Sequence, residues 1–177
     1  MAIKKTFQVG SNPIRSRAEA VKDVCNKKIQ KVIRDLIDTM RHENLVGMAA
    51  PQIGEGKRIF VTEIRKTTIR KNLKQDELRV FINPRIKKHS MSIVKGYEGC
   101  GSVGSANLFG PVSRFKTVVV TAVDGRGSPF QLEASGLLSR VIQHEIDHLN
   151  GVVFLDKVKD NRKLLGKEEY IGLMGKK

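Results

Sequence analysis

The order of apolar and polar positions divides the chain into a small set of elements. Ile29, Val32, Ile33, Leu36, Ile37 and Met40 recur at helical spacing, with Lys and Arg on the other face. That pattern predicts an amphipathic helix, ended by His42-Glu43-Asn44. Before it, residues 9–18 read as an irregular arm, because Asn12-Pro13 disfavours helix there. Ile59, Phe60, Val61 and Ile64 predict a strand from Arg58 to Ile64, and Leu78 to Ile86 a second, closed by Asn83-Pro84. Met91 to Val94 supplies a third, and the basic stretch from Lys66 to Glu77 reads as an exposed loop. Ser113 to Val123 alternates before running into Val118-Val119-Val120. The turn signal Asp124-Gly125-Arg126-Gly127 follows, and Pro129 to Ala134 returns as the hairpin partner. Leu137, Leu138, Val141, Ile142, Ile146 and Leu149 form an apolar helical run between Gly136 and Gly151. Val152-Val153-Phe154-Leu155 leaves it as a short extended segment. The tail from Asp160 is basic and broken by Gly166, Gly172 and Gly175, with Leu164, Leu165, Ile171 and Leu173 supporting a short helix.

The helix between Gly136 and Gly151 carries Gln143-His144-Glu145-Ile146-Asp147-His148. A four-residue spacing puts His144 and His148 on one helical face, where two imidazoles can share a divalent cation and Glu145 can handle protons. The alternative is a core helix with two hydrogen-bonded histidines. Metal is favoured because the chain has only four histidines and two of them share this face with an acid between them. Two histidines leave the site incomplete. A third histidine three residues after Gly151 is ruled out, since that position is Phe154. Glu168 and Glu169 lie in the glycine-broken tail. Cys100, between Gly99 and Gly101 in a strand-like region, is the better candidate: Cys with two His leaves a position open for water. A small buried residue or a histidine-activated nucleophile are the other readings of Cys100. Cys25 reads as ordinary packing. Gln52 ends the small apolar stretch Leu45-Val46-Gly47-Met48-Ala49-Ala50-Pro51, either as an amide aimed at a site or as a loop cap.

Composition narrows the setting. A chain of 177 residues, 40% hydrophobic and 29% charged, fits one soluble domain over 1–177 with a basic tail from about 157. No apolar run reaches membrane-span length, and no signal core follows the basic N-terminus. Two cysteines make no disulfide framework, so a reducing, cytoplasmic setting is expected. The net charge of +15 attracts polyanions, RNA included, but no nucleic-acid motif is present and specific DNA binding is not expected.

Three segments, Leu45 to Gln52, Glu98 to Ser102 and Gln143 to His148, resemble the three motifs of peptide deformylases in order and spacing. Gly10-Ser11-Asn12-Pro13-Ile14-Arg15 is similar to that family as well, and the resemblance covers nearly the whole chain. It implies an α+β fold with mixed or antiparallel sheets around a central metal-binding helix. It implies removal of formyl from the N-terminal methionine of nascent polypeptides, with release of formate. By position, Cys100, His144 and His148 would hold one divalent metal, usually ferrous iron, sometimes zinc or nickel. Glu145 would be the general base and then acid, and Gln52 with the Gly101 N–H would serve the oxyanion. Val46, Gly47, Gly99, Arg140 and Val141 would line the substrate site. The basic surface is compatible with ribosome association. Two rival readings remain, an amidase with another N-acyl substrate and a non-catalytic ribosome-associated homologue.

The chain departs from the family pattern at several positions. Leu45 stands where glycine is usual, Gly101 where leucine is usual and Gly104 where proline is common. Gly101 is therefore expected to give a less rigid oxyanion donor. Gly96 and Arg140 replace apolar residues, Arg140 in the pocket for the methionine side chain. The expectation is a wider, more polar pocket, with Arg140 either shifting preference toward polar or acidic side chains or snorkelling to solvent.

Overall fold

In the computed structural model, which describes residues 2–65 and 74–175, two antiparallel sheets pack against one helix. The predicted arm contains a single helical turn, α1 (Asn12–Arg15). Pro13 lies in its first turn, where a missing N–H costs nothing, so the proline starts the helix instead of preventing it. The amphipathic helix forms as α2 (Lys27–His42), with the Asn26 side chain accepting from the Lys28 N–H. Its apolar face packs against β1 (Gly47–Ala49) and β2 (Ile59–Ile64), with Leu36 and Met40 fully buried and Ile29 and Ile37 partly so. Cys25, just before it, is exposed rather than packed.

The second predicted strand is longer than expected. β3 runs over Asp76–His89, straight through Asn83-Pro84. Its pairing shifts register between Ile82 and Arg85, Asn83 adopts φ 52°, and the Asn83 side chain bonds the Val21 backbone in both directions, at 2.9 and 2.8 Å. A bulge there lets proline sit in a strand without breaking a ladder bond. Of the predicted basic loop, residues 66–73 lie outside the described residues, and Asp76 and Glu77 already belong to β3.

β4 (Ile93–Gly99) extends the third predicted strand up to Cys100. The alternating stretch from Ser113 is two strands, β5 (Leu108–Phe115) and β6 (Thr117–Val123), separated at Lys116. They belong to different sheets: β1-β2-β3-β6 and then β7 (Pro129–Ser135) in one, β4-β5 and then β8 (Leu165–Gly166) in the other. β7 is the expected hairpin partner of β6. The helix α3 (Gly136–Leu149) follows and contacts both sheets, with Ile142 and Leu149 buried against Phe60 and Phe81. Phe154 is buried beside Cys100, Ile14 and Val112, in a 3₁₀ turn (Phe154–Lys157) where an extended segment was expected. The tail yields β8 (Leu165–Gly166), paired to β5, then α4 (Lys167–Gly175), whose Tyr170 stacks on Phe109 at 4.0 Å. All named strand pairs are antiparallel, which fits the expected α+β class.

Candidate metal centre and active site

The inner face of α3 carries Val141, Glu145 and His148, all buried, with His144 half-buried beside them. The His144 and His148 rings lie 5.0 Å apart, as one helical turn dictates. β4 delivers Cys100 to the same point. Its Sγ is 3.1 Å from His148 Nε2, and one ligand atom from each of Cys100, His144 and His148 lies within 4.8 Å of the others. Burial works against a charged Cys100, but the two imidazoles, His148 foremost, bring its thiol down to about 5. Burial likewise opposes a charged His144, yet Cys100 and Glu98 hold its pKa well above the ordinary value. A thiolate and two imidazoles that converge in a buried site form a donor set suited to a divalent cation, which would take the place of that proton.

Glu145 sits among these groups. Burial pushes its carboxyl up to about 7, against the pull of both histidines, and its Oε2 has no hydrogen-bond partner. Gly47 makes room for it: a Cβ there would lie 2.5 Å from Glu145 Oε1 and 2.7 Å from Val141 Cγ1. Gln52 is fixed by the Ala49 N–H, which donates to its Oε1 at 2.8 Å. The Gln52 Nε2 is thereby aimed at the centre, 3.7 Å from Cys100 Sγ and 3.2 Å from Ser102 Oγ. The Gly101 N–H has no protein acceptor among the described residues.

One part of the site had no role assigned from sequence. Glu98 accepts from His144 Nδ1 at 3.0 Å, from Arg114 at 2.9 and 2.8 Å, and from Arg140 Nη1 at 2.7 Å. Burial opposes its charge, but Arg114 and His144 hold its carboxyl well below the ordinary carboxylate range. Arg114 also reaches Asp147 at 2.5 Å. The bond from His144 Nδ1 leaves His144 Nε2 as the nitrogen available to a cation. The available sequence signal was Arg114 itself, a charge two residues from Val112 and so on the same inward face of β5.

The family model for polypeptide deformylase matches residues 3–164. The chain belongs to that family. A peptide deformylase 2 from a Nostoc species is 36% identical over 170 residues, covering 96% of this chain and 94% of that protein. A class I type b peptide deformylase from Acinetobacter baumannii, solved with Met-Ala-Ser bound, superposes with a TM-score of 0.84 at 27% identity, covering 89% of this chain and 99% of the other. The Ehrlichia chaffeensis peptide deformylase in complex with actinonin gives 0.82 at 30% identity, covering 99% and 98%.

Against the deformylase pattern, four of the five departures fall into two touching pairs, and the fifth, Gly104, stands apart with φ 56°. A Cβ on Gly101 would lie 3.0 Å from Leu45 Cδ1, so the leucine missing after the cysteine is replaced in space by one from the first motif. The Gly101 carbonyl accepts from Gln8 Nε2 at 2.9 Å and Ser102 O accepts from the Val9 N–H at 2.7 Å, so the segment is held despite its glycine. The second pair is Gly96 and Arg140. A Cβ on Gly96 would lie 3.0 Å from Arg140 Nη2. Arg140 does not snorkel: besides Glu98, it donates to Val112 O at 3.0 Å, Val94 O at 2.8 Å and Gly96 O at 3.4 Å. Of the other lining candidates, Val46 is half-buried and hydrogen-bonds Glu63 through its carbonyl. Val141 packs on Gly47, and the Phe109 ring covers Gly99, leaving only its backbone for a ligand.

Proposed function

We propose that this deformylase removes the formyl group from the N-terminal methionine of newly made polypeptides, releasing formate. The observation that carries the reading is the convergence of Cys100, His144 and His148 with Glu145 and Gln52 at one buried point. Cys100 Sγ and the imidazole nitrogens of His144 and His148 would hold one divalent cation, ferrous iron in first place, with zinc or nickel as substitutes. Such a cation, when bound, lowers the pKa of water and polarises the formyl carbonyl. Glu145, poised near neutrality, takes a proton from the attacking water. The tetrahedral intermediate places its oxyanion toward Gln52 Nε2 and the Gly101 N–H. As the C–N bond breaks, Glu145 returns the proton to the leaving amine, giving formate and a free methionine amino group.

Val46, the Gly47 and Gly99 backbone, Val141 and Arg140 line the substrate site in this reading. The Arg140 charge is engaged by Glu98 and by backbone carbonyls, which supports acceptance of methionine over an acidic side chain. The net charge of +15 supports association with the RNA-rich ribosome, where formylated chains emerge, and a cytoplasmic location follows from that substrate. No helix among the described residues is long and apolar enough to cross a membrane. Retention of Glu145 and Gln52 beside the ligand cluster weighs against a non-catalytic homologue. The test is anaerobic purification, metal removal and reloading with Fe²⁺, Zn²⁺ or Ni²⁺, then formate release from formyl-Met and formyl-Glu peptides. Metal-restored turnover that favours formyl-Met is expected. Turnover only on formyl-Glu, or only on another acylated amine, would overturn the reading.

A further inference from the structure

On the face of α3 turned away from His144, a cavity of about 500 Å³ opens between the arm, β2 and β3. Ile146, 200° around the helix from His144 by α-helical geometry, forms part of its wall with Pro84 and Asn150. Three arginines, Arg17, Arg58 and Arg85, also line it. Arg58 is half-buried and spends one nitrogen, Nη1, on Leu149 O at 3.2 Å and Asn150 Oδ1 at 3.0 Å. Its Nε and Nη2 have no protein acceptor among the described residues, and neither Arg17 nor Arg85 is ion-paired among them. The nearby Glu19 carboxylate is bound to Lys57 at 2.8 Å. Burial lowers the Arg58 pKa, and Arg17 and Arg85 lower it further. Three cations thus face one cavity with no anion of the protein between them.

The geometry points to a phosphate-binding site at Arg17, Arg58 and Arg85, separate from the metal centre, that takes the phosphate of a nucleotide or of an RNA backbone. Guanidinium groups match phosphate oxygens through paired N–H donors, and three of them offer more charge and more donors than a single carboxylate can use. The cavity has room for a phosphate together with the sugar it is attached to. This assignment does not depend on the deformylase chemistry.

The experiment uses the full metal-loaded chain and fluorescein-labelled single-stranded RNA, followed by anisotropy across a salt series, with inorganic phosphate and AMP as separate ligands in calorimetry. Three proteins are compared: wild type, Arg17→Ser/Arg85→Ser, and Lys27→Ser/Lys28→Ser, which removes the same charge from an exposed site elsewhere. Two lost phosphate contacts should weaken RNA binding about tenfold or more at low salt and flatten the log–log salt slope by about 1.4. The lysine variant should weaken binding by less than about threefold. Binding of phosphate or AMP without RNA, lost in the arginine variant, upholds the site with a small phosphate as its ligand. RNA binding lost in that variant upholds it with the backbone as ligand. Equal weakening in both variants, displacement of RNA by an acidic peptide as readily as by AMP, or no binding of any of the three ligands overturns it. Unchanged circular dichroism and metal content in the variants show that the fold is intact.

Discussion

Glu98→Gln is the most informative single change around the metal centre. The side chain keeps its shape but loses the charge that faces Arg114, Arg140 and His144. The Arg114 side chain is 4% exposed, and it retains Asp147; that of Arg140 is 14% exposed and retains only backbone carbonyls. Removing one partner of a buried ion pair costs about 3–5 kcal/mol, and the surviving Arg114–Asp147 pair places this case near the lower end. For a chain of this size about 3 kcal/mol is about 6–12 °C in Tm. His144 also loses the charged carboxylate that orients its ring and keeps at most a neutral amide oxygen shared with the arginines, which lowers metal affinity about 10–100-fold. The Glu98 pKa is lowered in the fold, so its stabilisation is present above the ordinary value of 4.5 and is lost as pH falls below it. The variant should lack that acid-dependent part. Thermal melts of the metal-free protein and chelator competition read the two effects separately. Adding Arg140→Leu to Glu98→Gln should recover part of the stability, because one unpaired cation is gone, but none of the metal affinity. A Glu98→Gln protein with a Tm within about 2 °C of wild type and unchanged metal affinity would refute this account of the network.

Gly101→Leu should crowd Leu45 and cost about 1–3 kcal/mol with loss of turnover, and Leu45→Gly in the same chain should restore much of both; a double variant no better than the single would dismiss the spatial exchange. Gly47→Ala places a methyl group against Glu145 and Val141, so kcat should fall by about 10² while metal content stays, as activity and metal analysis on one sample will show. The rate should rise with pH through a midpoint at or below about 7, because Glu145 acts as the carboxylate and a neighbouring cation favours that form. Metal affinity should fall as pH falls, because protons then compete with the cation first for His144 and, in stronger acid, for Cys100; a rate limb that falls as pH rises through 7 would assign Glu145 the opposite role.

Local signals carried the elements that local physics determines. The period of Ile29 to Met40 and of Leu137 to Leu149 marked α2 and α3, and Asp124 to Gly127 marked the β6–β7 hairpin. Errors arose where tertiary context decides. Pro13 starts a helical turn, Pro84 rides on a bulge fixed by Asn83 and Val21, and the chain passes between sheets at Lys116 with no break in its alternation. In the site, the pattern of His144, Glu145 and His148 on a helix was legible, as was the need for a ligand from Cys100. Glu98 and Arg114 were not, because their roles depend on contacts 16 to 46 residues apart. The pairing of Leu45 with Gly101 and of Gly96 with Arg140 was equally hidden, and it turns apparent losses of the family pattern into substitutions that fit one another.

The central claim is that Glu145 works as the proton carrier at a cation held by Cys100, His144 and His148. Metal content and formate release from a formyl-Met peptide, measured together on wild type and Glu145→Ala, test it most directly. The account predicts one metal ion in both proteins and turnover reduced by at least about 10² in the variant. Equal turnover by wild type and Glu145→Ala, or a fully metal-loaded wild type that releases no formate, would contradict it.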